Sequence, residues 1–349
     1  KEVTKDYGDL RILPGFIDIH CHGAYGFDTN DANPEGLRKW AKGIVDEGVT
    51  SFLATTLTQS EEVLTNAVSN VAKVVEEGYK DKVEGAQVLG THLEGPFFNK
   101  KYKGAQPEEY CVKPDVEQFK KYQKAAHGLI KYITMAVEND EDFTLTKYCS
   151  QNNVVVSIGH SNATYEQAVQ AYGHGARSMT HVYNAMTPFT HRANGLVGGA
   201  LRIRNMYGEI ICDGNHSTLA ALNNFFTSKG PDYSIMVTDS LMCKGFPVGT
   251  KFDFGGQEVV IYPDGSAHLV EAGNLAGSTL NVNKGLKILI EDALVPVNYA
   301  INACTSNPAR CLHVDDRKGT IGVGYDADLV VLDRDYEVVQ TYCKGIGQK

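Results

Sequence analysis

Residues 17–23 read I-D-I-H-C-H-G and place His20 and His22 on either side of one cysteine. If this segment is a strand, the two histidines project from one face while Cys21 points away, because alternate residues of a strand share a face. Imidazole is the commonest metal-binding side chain in proteins. The spacing therefore fits a pair of metal ligands, although a pair by itself fits two incidental surface histidines equally well.

Further ionisable residues stand at the ends of other apolar, β-branched runs. They are Glu94 in T-H-L-E, His160 in S-I-G-H, His181 in S-M-T-H and Asp239 in V-T-D. Such runs alternate with stretches of helical spacing, which is typical of parallel βα units. Barrel enzymes built from these units carry their active sites at the carboxyl ends of the strands. We therefore predict that these side chains and the histidine pair meet at one face.

The number of strands predicts the architecture. Eight strands that alternate with helices predict an α/β fold, a TIM-type (β/α)8 barrel over residues 15–310. After residue 310 the composition changes to turns and extended segments, which predicts a small β region at 311–349. The predicted barrel strands are 15–20, 49–55, 87–94, 132–138, 154–160, 178–181, 208–214 and 234–240.

Imidazole nitrogens and carboxylate oxygens at one barrel face would bind a divalent metal, and zinc or iron(II) fits this ligand set best. The alternative for Glu94 is a buried carboxylate paired with a lysine or arginine, but its own strand offers no such partner. Burial without a partner would be costly. A water in an open coordination position would have its pKa lowered from 15.7 to about 7. Asp239 would take a proton from that water and hand it to a departing amine.

A second group of residues carries the donors that an anion needs. Asn184 and Ala185 follow His181, Arg192 lies in T-H-R-A-N-G, and His216 follows the seventh predicted strand. Guanidinium groups and backbone amides commonly hold phosphate. The group indicates a phosphate site, while a solvated surface charge explains Arg192 equally well.

Composition argues against several classes of partner. The net charge of -9 and the pI near 5.7 argue against binding to nucleic acids or anionic membranes. No stretch reaches the apolar length of a membrane span. The eight cysteines are scattered without C-x-x-C pairs, which indicates reduced thiols. The first residues, K-E-V-T-K-D, contain no apolar signal segment, so we expect a cytoplasmic setting.

With these residues in place, the chain resembles the N-acetylglucosamine-6-phosphate deacetylases of the amidohydrolase superfamily over nearly its whole length. The segments G-H-S-N-A and H-x-x-N-A-M distinguish this family from dihydroorotases and hydantoinases, which share only the barrel and the use of metal. The motifs that carry the resemblance are H-L-E-G-P-F (92–97), G-H-S-N-A (159–163), T-H-V-Y-N-A-M (180–186), D-G-N-H (213–216), V-T-D-S (237–240) and A-G-N-L-A-G-S (272–278).

The resemblance implies metal-dependent hydrolysis of N-acetylglucosamine 6-phosphate to glucosamine 6-phosphate and acetate, in amino-sugar catabolism and cell-wall recycling. It implies that Glu94, His160 and His181 bind the principal metal and that Asp239 is the catalytic acid and base. Because both histidines of the first strand are present, a second ion bridged by Glu94 fits as well as a single ion.

For the substrate, the resemblance implies that Asn184, the backbone of Ala185, Arg192 and His216 hold the sugar phosphate. Members of the family are typically homodimers or larger, and Arg192 would act in its own subunit or in a neighbouring one. The sequence leaves open whether glucosamine or galactosamine epimers are preferred.

The chain departs from the family pattern in two places. Many members carry a histidine in the loop after the glutamate motif, whereas this chain has Gln106, whose amide would donate a hydrogen bond to the oxyanion without a positive charge. Members also have a longer segment before the first barrel strand, which forms a small β domain with the C-terminal strands. Residues 1–14 are expected to be a short part of that domain, with the rest missing from the chain.

Two alternatives remain at this point. One is another amidohydrolase that acts on a cyclic amide, of the dihydroorotase or hydantoinase type, which would not need Arg192 and His216. The other is a barrel without catalytic activity, kept as a binding or assembly module. Such proteins generally lose metal ligands, and this chain retains all of the expected ones.

Overall fold

The computed structural model describes residues 5–78 and 84–348. Eight parallel strands form its central sheet, and their order in the sheet follows their order in the chain. We number these barrel strands one to eight: Phe16–Cys21, Val49–Thr55, Gln87–Glu94, Ile130–Met135, Val155–Ile158, Ala176–Met179, Tyr207–Ile211 and Ser234–Val237.

Strands one and eight meet at a seam that nearly closes the sheet. The backbone N–H of Asp239 donates to the carbonyl of His20 at 2.8 Å. Nearby, the buried carboxylate of Asp18 accepts a hydrogen bond from the Thr238 hydroxyl at 2.6 Å, which joins the same two strands through side chains. The predicted TIM-type (β/α)8 barrel is confirmed.

Five barrel strands end two or three residues earlier than the sequence predicts. Strands four to eight end at Met135, Ile158, Met179, Ile211 and Val237 instead of residues 138, 160, 181, 214 and 240. His160 and Asp239 have φ angles of 48° and 50°, in the left-handed region that an extended strand cannot contain. Both residues therefore turn out of the sheet at its carboxyl edge.

Amphipathic helices connect the strands. Helix Glu61–Gly78, for example, buries Leu64, Val68, Val71 and Val75, which recur at three- and four-residue steps. The helices are Pro34–Gly43, Glu61–Gly78, Val116–Ala125, Thr144–Gln151, Tyr165–Gly173, Gly195–Arg202, Leu219–Lys229, Val282–Lys287, Val297–Ala303 and Ser306–Cys311, with a π-helical turn at Ile288–Asp292. Within the described residues, no helix combines the length and apolarity needed to cross a membrane.

A second sheet joins the two ends of the described chain. Strand Arg11–Pro14 pairs antiparallel with Leu329–Leu332, which pairs with Val338–Cys343 and then with Ile346–Gly347. The sheet thus brings together residues from the predicted segments 1–14 and 311–349. Residues 1–4 and 349 of those segments lie outside the described residues.

A third sheet, for which the sequence analysis made no prediction, lies over the barrel mouth. Its antiparallel strands are Lys251–Phe254, Gln257–Ile261 and Ala267–Leu269. We call it the covering sheet. Its buried apolar side chains form a cluster of their own with Leu57 and Leu241. This cluster holds the covering sheet against loops that follow the barrel strands.

Candidate metal and substrate site

The residues predicted to bind metal are brought together at the carboxyl ends of the strands. His22 follows strand one, where its backbone N–H donates to the Ser240 carbonyl at 2.8 Å. His160, His181 and Asp239 follow strands five, six and eight with φ angles of 48°, 28° and 50°. Backbone conformations of this kind are uncommon for residues other than glycine and concentrate at functional sites.

The first donor group consists of Glu94, His160 and His181. Oε1 of Glu94 lies 3.2 Å from Nε2 of His160 and 3.3 Å from Nε2 of His181. The two imidazole nitrogens are 3.1 Å apart. Three buried donor atoms therefore surround one point, as a bound cation requires.

The second donor group consists of His20, His22 and Asp239. Oδ1 of Asp239 lies 3.2 Å from Nε2 of His22 and 3.5 Å from Nε2 of His20. Oε2 of Glu94 is 3.1 Å from Nε2 of His22. Glu94 thus lies between the two donor groups: Oε1 faces the first group and is also 3.4 Å from Nε2 of His20, while Oε2 faces His22.

Burial and charge act against each other in this site. Burial would raise the pKa of Glu94, but the charge of His20 and the hydrogen bonds from His160 and His181 outweigh it and hold that pKa well below its usual range. Burial lowers the pKa of His22, but its hydrogen bonds and charge interactions with Asp239 and Glu94 raise it to about 9. The two carboxylates therefore attract positive charge into the interior.

The residues present fit a divalent cation. The six donor side chains comprise four imidazoles and two carboxylates, and the cavity beside them is lined by no lysine or arginine among the described residues. Nε2 of His20 is buried and makes no hydrogen bond within the described chain. A cation would satisfy this nitrogen and neutralise the carboxylates, which are otherwise costly to bury.

Backbone carbonyls orient two of the imidazoles. Nδ1 of His160 donates to the carbonyl of Tyr102 at 2.9 Å, and Nδ1 of His181 donates to the carbonyl of Asn184 at 3.2 Å. When these imidazoles bind a metal ion, a proton held on Nδ1 leaves the Nε2 lone pair for the ion.

Gln106 lies inside the site, as predicted, but its first partner is Glu94. The backbone N–H of Thr58 donates to Oε1 of Gln106 at 2.8 Å, which fixes the orientation of the amide. Nε2 of Gln106 then donates to Oε2 of Glu94 at 2.8 Å. A primary amide carries two N–H donors, so one remains for a substrate. The role toward an oxyanion stays a prediction, and the structure adds a contact with the central carboxylate.

A cavity of about 250 Å³ opens beside the donor groups. The structure places Asn184, Ala185 and His216 in its wall, together with Gln106. Sequence reasoning missed seven further wall residues, among them Asn274, Leu275 and Phe254. Asn274 and Leu275 lie in the A-G-N-L-A-G-S motif, which carries the family resemblance but from which no site residue was predicted. Phe254 belongs to the covering sheet.

His216 is held by Asp213 at the end of the cavity wall. Nδ1 of His216 donates to Oδ2 of Asp213 at 2.7 Å, and the backbone N–H of His216 donates to Oδ1 at 2.9 Å. Burial lowers the pKa of His216, but the hydrogen bond and charge of Asp213 outweigh this effect and raise it above 6.5. The pair therefore favours a positively charged imidazole facing the cavity.

Arg192 does not join the other predicted phosphate ligands within this chain. It lies in an exposed stretch, residues 188–194, and is not among the residues that line the cavity. The structure thus separates one of the eleven predicted site residues from the rest. Phosphate binding by Arg192 stays a prediction, and within a single chain Arg192 does not line the cavity.

Comparisons with known proteins agree with this geometry. The sequence pattern of the amidohydrolase family matches residues 11–346. The N-acetylglucosamine-6-phosphate deacetylase of Bacillus subtilis is 42% identical over 337 residues, which cover 97% of this chain and 84% of the relative. The corresponding enzyme of Lysinibacillus sphaericus is 40% identical over 96% of this chain and 84% of its own.

Solved structures give the same result. A mutant N-acetyl-D-glucosamine-6-phosphate deacetylase from Mycobacterium smegmatis, in complex with N-acetyl-D-glucosamine-6-phosphate, superimposes with a TM-score of 0.93 at 26% identity and covers 100% of this chain and 89% of that one. Other hydrolases match at only 13–16% identity and TM-scores of 0.56–0.58, which shows a shared fold alone. The chain belongs to the amidohydrolase family, in the group of the N-acetylglucosamine-6-phosphate deacetylases.

Proposed function

We propose that this chain hydrolyses the acetamido group of N-acetylglucosamine 6-phosphate and releases glucosamine 6-phosphate and acetate. The observation that carries the proposal is the meeting of both donor groups around Glu94, beside a cavity whose wall also holds His216. The donor groups would hold an ion that activates water, and His216 would hold a phosphate. The relatives at 42% and 40% identity carry the same activity in their names.

We assign Glu94, His160 and His181 as ligands of a principal divalent ion, zinc or iron(II). His20 and His22 offer nitrogens for a second ion, which Glu94 would bridge. Such an ion lowers the pKa of water and polarises an amide carbonyl. Imidazole and carboxylate ligands suit both zinc and iron(II), so elemental analysis of the purified protein decides between them.

Asp239 is the residue that moves protons in this proposal. Its side chain lies in the cavity wall and has 12% of its surface exposed. Burial raises its pKa, but His20 and His22 outweigh that effect and lower it below 3.8, so the group is a carboxylate near neutral pH. It would accept a proton from the attacking water and then protonate the leaving nitrogen as the C–N bond breaks. The free N–H of Gln106 would donate to the oxyanion.

The phosphate would bind at His216, Asn184 and the backbone of Ala185. The charge that Asp213 stabilises on His216 supplies a cationic donor, and remote binding of the phosphate would position the acetyl group. Because Arg192 is exposed and does not line the cavity of its own chain, we assign it to the phosphate of a partner subunit in a homodimer. A monomer in sedimentation experiments would contradict that assignment.

We also propose that the protein acts in the cytoplasm. All eight cysteines are buried and form no disulfide, as expected for a protein of the reducing cytoplasm. The cyclic-amide alternative rests on the shared fold alone, because hydrolases outside the deacetylase group match at 13–16% identity.

An acetate-release assay tests the proposed function. Purified protein is given N-acetylglucosamine 6-phosphate, N-acetylgalactosamine 6-phosphate or unphosphorylated N-acetylglucosamine, each with and without a chelator. We expect the phosphorylated sugars to be hydrolysed much faster than the unphosphorylated one and the chelator to abolish turnover. Equal rates with and without the phosphate would contradict the assigned phosphate site. Faster hydrolysis of a cyclic amide such as dihydroorotate would favour the alternative.

A further inference from the structure

A second carboxylate lies inside the barrel next to the donor groups. Glu209 belongs to strand seven and is fully buried. Its Oε2 lies 2.8 Å from Nδ1 of His20, which is also fully buried. Its Oε1 makes no hydrogen bond, and the described chain provides no other charged partner for Glu209. The hydroxyl of Tyr132 is also close to Glu209, but His20 is the partner that can carry a charge, and a buried carboxylate is costly without one.

The contact determines which nitrogen of His20 can bind a metal. Because a carboxylate only accepts hydrogen bonds, Nδ1 of His20 carries the proton and donates it to Glu209. When the imidazole loses its second proton to bind a metal, the lone pair is therefore on Nε2. This nitrogen lies 3.4 Å from Oε1 of Glu94 and 3.5 Å from Oδ1 of Asp239, on the side of the second donor group.

The partner of His20 differs from those of the other imidazoles. His160 and His181 donate their Nδ1 protons to neutral backbone carbonyls, and Nδ1 of His22 makes no hydrogen bond in the described chain. Only His20 of these four has a carboxylate next to its Nδ1. A carboxylate makes an imidazole a stronger metal ligand and adds a negative charge close to the ions, which a site for two cations needs more than a site for one.

We propose that Glu209 is a positioning residue that prepares His20 to bind a second divalent ion together with His22 and Asp239. The inference rests on the proposed function, because it assumes the metal sites assigned there. It goes beyond that function by assigning a role to a residue in the barrel interior that is not in the cavity wall. It also predicts that the two ions depend on Glu209 to different degrees.

Zinc binding to metal-free protein tests the inference. Apoprotein is dialysed against buffers of fixed free Zn²⁺, and bound zinc is counted by mass spectrometry. We expect two ions for the unmodified protein. In Glu209→Gln, which preserves side-chain volume and removes the charge, the second ion should bind roughly 10–100-fold more weakly while the first keeps its affinity. His20→Asn should lose the second ion outright.

Ser178→Ala is the matched control. This hydroxyl is also fully buried, lies on the neighbouring strand six and makes no hydrogen bond, but it does not contact His20. Its zinc curve should match that of the unmodified protein. Unchanged binding of two ions by Glu209→Gln, a single ion in the unmodified protein, or an equal weakening of both ions would each overturn the inference.

A measurement on the unmodified protein covers the case in which Glu209→Gln fails to fold. In nitrogen-15 NMR spectra of the zinc-loaded protein, with His20 assigned by comparison with His20→Asn, we expect a proton on Nδ1 and a metal-bound Nε2. A deprotonated Nδ1 would contradict the inference. If zinc binds as expected but no acetate is released from N-acetylglucosamine 6-phosphate, the proposed function fails while the role of Glu209 stands.

Discussion

The donor groups, which we call the metal end of the site, and the proposed phosphate ligands, which we call the phosphate end, are built differently. At the metal end, donor atoms from strands one, three, five, six and eight are buried within 4.8 Å of one another in each group, and all come from one chain. At the phosphate end, His216 and Asn184 are in place, whereas Arg192 is exposed and outside the cavity. All residues predicted to perform the chemistry therefore meet within one chain, whereas one residue predicted to hold the phosphate lies apart from the others.

This difference has a physical reason. Side chains at strand ends are fixed by a hydrogen-bonded sheet, so they can hold the close geometry that catalysis requires. Phosphate binding tolerates looser geometry, because charge attraction acts over longer distances than metal coordination. We therefore expect substitutions at the metal end to lower turnover and substitutions at the phosphate end to raise KM.

The largest expected effect is that of Asp239→Asn. Removing the group that accepts and returns the proton should lower kcat by roughly 10²–10⁴-fold, as for other general acids and bases. Zinc bound in the first donor group should be retained, which mass spectrometry can verify. Unchanged turnover would refute the proton-transfer role, and a simultaneous loss of all metal would show that Asp239 acts through the ions instead.

The pH dependence of metal binding should be the next largest effect. The pKa of His22 is about 9 before metal binds, so its proton must leave when an ion takes its place. As the pH falls below 9, protons compete more strongly, and the apparent affinity for zinc should decrease by roughly tenfold per pH unit for each proton released. Calorimetry in buffers of different ionisation enthalpy counts these protons. An affinity that is independent of pH from 6 to 8 would contradict this.

At the phosphate end, His216→Asn should raise KM by roughly 10–100-fold and leave kcat nearly unchanged, because a charge-assisted hydrogen bond contributes about 1.5–3 kcal/mol. Since Asp213 raises the pKa of His216 above 6.5, affinity for the phosphate should be full below that pKa and decline as the pH rises through it. Unphosphorylated N-acetylglucosamine serves as the control substrate, because its KM should not respond to the substitution.

The smallest expected effect is that of Gln106→Ala. The substitution removes one hydrogen bond to Glu94 and one potential donor to the substrate, so we expect kcat/KM to fall by roughly tenfold. Gln106→His is the second variant to compare, because a neutral imidazole has one N–H and cannot donate to both Glu94 and the substrate. If this variant were as active as the unmodified enzyme, the second N–H of Gln106 would have no part in turnover.

Much of the barrel and of its metal end could be predicted from the sequence. The eight strands are encoded locally, as apolar β-branched runs, and the rule that barrel sites lie at strand ends then brings Glu94 and the histidines together. The fold and the family are confirmed, while the roles of the individual residues stay predictions. The predicted ends of strands four to eight are two or three residues too late. At His160, His181 and Asp239 the reason is a left-handed backbone, which depends on the surrounding loops and not on the residue type.

The structural features that were not predicted from the sequence are of two kinds. The covering sheet did have a local signal, the pair Gly255 and Gly256 between alternating runs, which is typical of a hairpin and was not used. The contact of Glu209 with His20 has no local signal, because 189 residues separate the two in the chain. The position of Arg192 also could not be predicted, because nothing in its loop specifies whether the side chain serves its own subunit.

The seam between strands one and eight links the integrity of the barrel to that of the site. The same amide that fastens the last strand to the first belongs to Asp239, and its acceptor belongs to His20. A fluctuation that opens this seam also separates Asp239 from His20. Closure of the barrel and assembly of the site are therefore coupled. A cation bound by both residues would stabilise the closed barrel.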